Sequence, residues 1–370
     1  MMEKIFVKRN KRSKKLFLIE KRKNEMSIPK ILFIRSSKSS FIQKDIEILR
    51  KYFDVKIVDS DLTGKSLKGA LVTIYNIIKG ILRVDITFSW FAGTHAFVAV
   101  LLSKLFRKKS IVVVGGYEVA KVPEIGYGVL LNPRSARKVK YVLESADKIL
   151  AVSEFNKKEI LKYTNSSNVE LVYNSIDCKK FKPDGEKEDL VITVVYSISN
   201  ITIKIKGLET FVKAAKYLPG VKFIVVGEYH NNSIEYLKAQ ASPNVEFLGF
   251  IPNEGLVKLY QKAKVYCQLS YRESFGMALA EAMACECVPV VTNNAALPEV
   301  VGDTGFYVPY SDPKATAEAI KRALKSDKGK EARDRIKKMF PIERREKELI
   351  EIINSFFFVS DAKIKGGDMK

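Results

Sequence analysis

The chain is poor in the residues that build metal centres and disulfide frameworks. Its 370 residues include four cysteines, Cys178, Cys267, Cys285 and Cys287, and two histidines, His95 and His230. No Cys-x-x-Cys pair occurs, and a structural zinc site needs about four closely placed ligands, so no metal is expected. Four cysteines in so long a chain do not make a disulfide framework, which fits a reducing, cytoplasmic setting. Cys285-Glu286-Cys287 precedes a strand-like run, where cysteine serves as a small hydrophobe rather than a reactive thiol. Gly115-Gly116 continues as Tyr117-Glu118, without the Gly-x-Gly-x-x-Gly of a dinucleotide site, which excludes NAD.

Long apolar runs are also scarce. The longest, residues 88–106, begins Phe88-Ser-Trp-Phe-Ala-Gly93, a strand end and turn. Only about a dozen helical residues remain, too few to span a bilayer. No secretory signal is visible: residues 1–25 carry ten Lys/Arg against three acids and no apolar core. They read as a disordered tail or a misplaced translation start, with a basic arm touching membrane or RNA as the alternative.

What the chain has in excess is positive charge. Its formal net charge is +22, with 29% charged and 46% hydrophobic residues. The hydrophobic share is enough for real cores, and the length suits two domains. The charge implies an anionic partner: nucleic acid, an anionic membrane or a phosphorylated substrate. No RNA or DNA module and no aromatic-basic repeat is present, so a nucleic-acid-binding protein is the remote alternative.

Short apolar runs alternate with amphipathic stretches. Strands are predicted at Ile31–Ile34, Val55–Val58, Ile86–Ser89, Ser110–Val114 and Ile149–Val152, and again, after a polar connection near residue 185, at Val191–Ser197, Lys222–Val226, Val245–Leu248, Val265–Leu269 and Val288–Thr292. Helical patterns lie between them, which predicts α/β architecture: two doubly wound, Rossmann-like domains facing across a cleft. The expected division is a basic extension over 1–27, one domain over 28–185, a second over 186–340, and a helix and tail over 341–370. Ligands of such sheets bind beyond the carboxyl ends of the strands, so the cleft is the expected active site.

The most informative segment is Ser270-Tyr-Arg-Glu273-Ser-Phe-Gly276-Met-Ala-Leu-Ala-Glu281-Ala-Met-Ala284, a loop running into a helix. The unpaired N–H groups and positive end of the helix, at Phe275 to Ala278, suit a diphosphate. Gly276 lets the backbone approach a ligand closely. One carboxylate can then reach a sugar ring and the other a ribose diol. Taken alone, Glu273 also reads as a capping acid and Glu281 as a solvated helix face.

The segment resembles the Glu-x7-Glu motif of retaining glycosyltransferases with the two-Rossmann-domain (GT-B) fold, family 4, the glycosyl transferases group 1. The resemblance extends through Val288-Pro-Val-Val-Thr-Asn293, Leu297-Pro-Glu-Val-Val301 and Thr304-Gly-Phe306, and backward to Val245–Ile251, Asn174–Pro183 and Ala146–Glu154. It is strong over about 146–326 and weak before. It implies transfer of a sugar from a UDP-, GDP- or ADP-sugar to a glycan or lipid-linked acceptor, without cofactor or metal. It further implies that Glu281 binds the donor ribose, that Glu273 contacts the transferred sugar, and that Ser274, Phe275, Gly276 and Met277 line the donor with backbone N–H groups. Lys206 matches a phosphate-binding lysine, and Gly227 and Phe250 fall among the donor-binding positions.

Three departures stand out. The arginine usual before that lysine is missing, and Lys204 takes its place as a point charge instead of a fork. The histidine usual after the strand ending at Val114 is replaced by Tyr117 and Glu118, so Glu118 joins Glu273 and Lys206 as a catalytic candidate. The usual glycine loop after the first strand reads Arg35-Ser-Ser-Lys-Ser-Ser40, hydroxyls and cations that can hold phosphate. These departures keep open a nucleotide-sugar epimerase or a non-catalytic partner subunit. Lys68 and Lys79 within Ser66–Leu82, and the cations of residues 104–109, suggest that the first domain docks on the inner face of the cell membrane. A solvated face is the alternative.

Overall fold

The computed structural model describes residues 28–62, 66–165, 167–230 and 232–357. The basic extension and the last residues of the tail lie outside them. Two parallel six-stranded sheets form. The first takes the order β2-β1-β3-β4-β5-β6, with β1 Lys30–Arg35, β2 Asp54–Asp59, β3 Ile86–Trp90, β4 Lys109–Val114, β5 Lys148–Ala151 and β6 Val169–Leu171. The second takes the order β12-β11-β10-β7-β8-β9, with β7 Glu188–Ile198, β8 Lys222–Tyr229, β9 Val245–Gly249, β10 Ala263–Gln268, β11 Val288–Thr292 and β12 Phe306–Val308.

The central strands are near-continuous runs of Ile, Val and Phe because helices cover both faces. All five residues of β3 are buried. Phe33 of β1 pairs in register with Phe88 of β3, their rings stacked with centroids 5.1 Å apart. The run 88–106 divides as expected, with β3 ending at Trp90 and a helix over Thr94–Leu105. No described helix is long and apolar enough to cross a membrane. Cys267, Cys285 and Cys287 are buried in the second domain, and burial pushes the thiols of Cys285 and Cys287 up to about 12 and about 11.

Several elements escaped the sequence reading, β6, β12 and the helix Asn200–Lys206 among them. β6 and β12 are three residues each, too short to show a period. The helix Asn200–Lys206 sits in a stretch of β-branched residues and is set by its ends, capped by the Ser199 hydroxyl and closed by Gly207 in the left-handed region.

The final helix is Ile342–Ser355. It follows the second domain in sequence but packs on the first, against the helix Ser40–Arg50. Its anchor is Arg345, whose guanidinium grips both oxygens of Asp45 at 2.6 and 2.7 Å and donates to the carbonyls of Val172 and Tyr173 at 3.1 and 2.8 Å. Trp90 Nε1 donates to the same Asp45 at 2.8 Å. A buried ion pair is tolerated when its remaining donors and acceptors are filled, as they are here. The Ile176 N–H meets the Phe340 carbonyl at 2.9 Å, where the chain passes between domains a second time.

Candidate active site

β10 leaves its sheet through the loop Leu269–Gly276 and enters the helix Met277–Ala284. Phe275 is buried edge-on against Phe340, with centroids 5.2 Å apart, and pins the loop to the body. Thr292 Oγ1 donates to the Ser270 carbonyl at 2.6 Å and the Ala296 N–H to the Glu273 carbonyl at 3.1 Å, tying the loop to the end of β11. Gly276, at φ 91°, makes the left-handed turn that starts the helix. The loop is therefore rigid, and the helix directs its unpaired first-turn N–H groups over the carboxyl edge of the sheet.

Lys206 is brought to that loop by Gly207. A Cβ at Gly207 would lie 2.2 Å from the Leu269 carbonyl oxygen, so only glycine allows this approach. The Tyr271 N–H donates to the Ile205 carbonyl at 2.9 Å. The Lys206 ammonium donates to Glu273 Oε2, with both side chains largely buried. Glu273 also accepts from its neighbour's N–H, Ser274, at 3.2 Å through Oε1. The two residues that the resemblance assigns to phosphate and sugar are thus direct partners. Lys204 is exposed two residues earlier on the same helix, about 200° around the axis from Lys206. The structure does not bring it to the carboxylate.

Glu281 is not the solvated residue of the bland reading. Burial of its carboxyl pushes its pKa up to about 7, with the Lys180 ammonium opposing the shift. Lys180 comes from a turn built on Asp177, whose Oδ1 accepts the N–H groups of Lys179 and Lys180 at 3.1 and 3.2 Å. Phe250, at the end of β9, is 72% exposed. Gly227 has a different reason to be glycine: its Cβ would sit 2.7 Å from Val195 Cγ2 on β7. Its small size serves strand packing.

Across the cleft, Glu118 also departs from expectation. Its side chain turns inward and is 3% exposed. Oε1 accepts the N–H groups of Gly115 at 2.9 Å and Ala92 at 3.2 Å, and Oε2 that of Gly116 at 2.8 Å. Burial raises its pKa and these N–H groups hold it down. A carboxylate engaged in this way fixes the loop and does not reach an acceptor hydroxyl. His95 is also withdrawn, its Nε2 within 2.7 Å of the Trp90 carbonyl and its pKa lowered by burial. At the ends of β1 and β2, Arg35 pairs with Asp59 at 2.6 and 2.9 Å.

The loop that Glu118 fixes reaches the donor side. A Cβ on Gly116 would lie 1.7 Å from Ser274 Oγ, so the two domains touch there. Nearby, Tyr271 Oη donates to Glu124 at 3.0 Å. Between these two tethers stands Tyr127, bridged to Val122 and packed edge-on against Tyr117 with centroids 4.9 Å apart. Burial and the Glu273 carboxylate raise its phenol pKa, and Arg272 opposes. Its hydroxyl makes no hydrogen bond to a described residue. Arg272 itself donates to Glu159 at 2.8 Å, lies over the Phe155 ring, and keeps Nη2 buried without a hydrogen-bond partner among the described residues. Glu299 accepts the N–H groups of Glu154 and Phe155 at 2.7 and 3.2 Å, capping the helix Glu154–Leu161 from the other domain. Sequence reasoning missed all three residues. Arg272 and Glu299 lay inside quoted segments, whereas nothing local marked Tyr127.

The profile of the glycosyl transferases group 1 matches residues 179–339. O-antigen chain mannosyltransferase B of Escherichia coli is 27% identical over 207 residues, 51% of this chain and 54% of that protein, so the chain spans about half the length of that relative. Capsular polysaccharide biosynthesis glycosyltransferase CapM of Staphylococcus aureus is 27% identical over 374 residues, 86% of this chain and 94% of that one. Among solved structures, Anabaena HepE in complex with UDP and glucose superposes with a TM-score of 0.73 at 17% identity, over 88% of this chain and 100% of that one. Sucrose-phosphate synthase from Thermosynechococcus elongatus gives 0.73 at 17% identity, over 89% and 99%. Those likenesses establish the GT-B fold, and residues 179–339, which hold the Glu273–Glu281 segment, match the glycosyl transferases group 1.

Proposed function

We propose that the chain transfers a sugar from a nucleoside-diphosphate sugar to an acceptor hydroxyl with retention of anomeric configuration. The observation that carries this reading is the Lys206–Glu273 pair beside the N-terminus of the helix bearing Glu281. The donor diphosphate lies over the amides of Phe275 to Ala278. Its phosphate exchanges for Glu273 as the partner of Lys206, and the Glu281 carboxylate takes the ribose diol. As the bond from the sugar's anomeric carbon to the phosphate oxygen breaks, the charge gathers where the ammonium and the helix end stand ready. The acceptor oxygen bonds to the same face of that carbon, and its proton passes to the departing phosphate oxygen.

Glu273, freed from Lys206, faces the sugar ring. The acceptor hydroxyl enters past the Gly115–Tyr127 loop, where the Tyr127 phenol is the group available to orient it. UDP is the first base to test, because HepE was solved with UDP and glucose. Relatives named for O-antigen chain and capsular polysaccharide make a glycan or lipid-linked acceptor the first class to test. The test is a thermal-shift screen against UDP, GDP, ADP, CMP and their sugar conjugates, with Glu281→Ala as control. A ligand at a hundred times its Kd adds about 2.7 kcal/mol of stability. A shift with one diphosphate series, lost in the control, supports the donor site. No shift with any nucleotide removes it.

A further inference from the structure

The helix Leu67–Ile81 is apolar on its outward side as well as its inward side. Thr73, Ile77 and Ile81, spaced by four residues, turn inward and are buried. Leu67, Leu71 and Tyr75, with the same spacing, turn outward and are 79%, 59% and 62% exposed. A helix apolar on both sides belongs inside a protein or against lipid, yet nothing in the described structure covers the outer face. The patch continues past Leu82, at the end of this helix, to Leu101 and Leu105 on the neighbouring helix Thr94–Leu105, where Leu105 is 70% exposed. Scattered exposed leucines are ordinary; a run of them over two adjacent helices is not.

The surroundings of the patch indicate its partner. Lys68, Lys79, Arg83, Lys104 and Arg107 are exposed around it, and none pairs with a carboxylate among the described residues. Asp85 is the sole acid between residues 67 and 108, and its carboxylate already accepts the Lys30 N–H at 2.9 Å. An apolar stripe edged by unpaired cations complements an anionic bilayer: the leucines and Tyr75 enter the acyl boundary while lysine and arginine stems extend to the headgroups. A second copy of the chain would meet the same cations and be repelled.

The patch is also well sited. Gly69, in the first turn, abuts Asp61 on the loop after β2, where a Cβ would lie 2.1 Å from Asp61 Oδ2. The stripe therefore starts at the carboxyl edge of the first sheet, on the rim of the cleft, and runs away from it. We propose that this face, from Leu67 to Leu105, seats the protein on an anionic phospholipid surface and holds the acceptor side of the cleft at the headgroups.

The test uses the full chain in co-sedimentation with phosphatidylcholine vesicles, with and without about 30% phosphatidylglycerol, at low and high salt. Binding at low salt should be at least ~tenfold stronger to the anionic vesicles and weaken as salt rises. Leu71→Ser with Tyr75→Ser should lower it ~tenfold, and Lys68→Glu with Lys79→Glu should remove most of its salt dependence. Nucleotide-induced thermal shifts should be unchanged in both pairs, which separates this proposal from the donor site. Failure to bind anionic vesicles at low salt overturns it. So does equal binding by the Leu71→Ser, Tyr75→Ser chain, or a concentration-dependent dimer in light scattering that those substitutions abolish.

Discussion

The Lys206 ammonium, on the last residue of one helix, donates to the Glu273 carboxylate on the loop that starts another. Each neutralises the other, and each is assigned to a different part of the donor. A pair of this kind keeps both charges positioned and releases them to a ligand carrying its own phosphate charge. Replacing Lys206 by Met should therefore lower kcat by about 100- to 1000-fold, about 2.7–4 kcal/mol, by removing a charge aimed at the leaving group. Steady-state rates with saturating donor and acceptor measure it. A loss confined to donor KM would mean that the lysine binds donor and transition state equally.

Glu281 gives a pH signature. Its folded pKa, about 7, stands above the ordinary carboxyl value of 4.5. A buried acid with a raised pKa favours the folded state while protonated, so its contribution is complete below about 4.5 and is lost as pH rises to about 7. The span is about 3 kcal/mol at most. Unfolding by denaturant between those limits should show stability falling with pH, and Glu281→Gln should flatten that slope. Donor affinity should move the other way, rising through about 7 as the carboxylate proposed to accept the ribose hydroxyls forms. Isothermal titration with nucleoside diphosphate checks the second half.

Glu118 is expected to behave as a support. Glu118→Ala leaves the N–H groups of Ala92, Gly115 and Gly116 buried without their acceptor, each at about 1–3 kcal/mol. Thermal denaturation should show a melting temperature lower by several degrees. Transfer to acceptor should fall because the loop beside Ser274 loosens, while the nucleotide-induced shift persists.

Tyr127→Phe tests the acceptor side without that damage. Its hydroxyl has no described partner to lose, so the melting temperature should stay within about 1 °C. The acceptor kcat/KM should drop about tenfold, as for one lost hydrogen bond to substrate. Competition between acceptor analogues under saturating donor measures it, and an unchanged acceptor kcat/KM would remove Tyr127 from the site.

The Arg345–Asp45 pair should also be costly to break. Asp45→Ala strands a buried guanidinium and the Trp90 N–H, with an expected loss of about 3–5 kcal/mol. Trp90 is the single tryptophan, so its fluorescence reports the change directly during denaturation.

Much of the fold was legible because parallel strands covered on both faces must be apolar throughout and helices between them amphipathic. β1 and β11 are examples, recovered within a residue or two of their ends. β6 and β12 were not, because three residues carry no period. The helix Asn200–Lys206 was hidden because Ile and Thr favour strands, and tertiary placement together with Ser199 and Gly207 overrode that preference. Within the site, Glu273, Phe275, Gly276 and Glu281 share one loop and helix, so their spacing is a local property that sequence displays. Lys206 was recognised from its neighbours Gly207 and Leu208.

The sequence by itself determined the two doubly wound domains, the donor-side segment and the excess of positive charge, since each rests on period, spacing or composition. Only the tertiary structure decided what the charged side chains face. It turned Glu118 inward onto three N–H groups, joined Lys206 to Glu273 across 67 positions, stood Tyr127 in the cleft, and returned the last helix to the first domain through Arg345. Those outcomes depend on which groups lose water together when distant segments meet, and no single stretch of the chain contains that information.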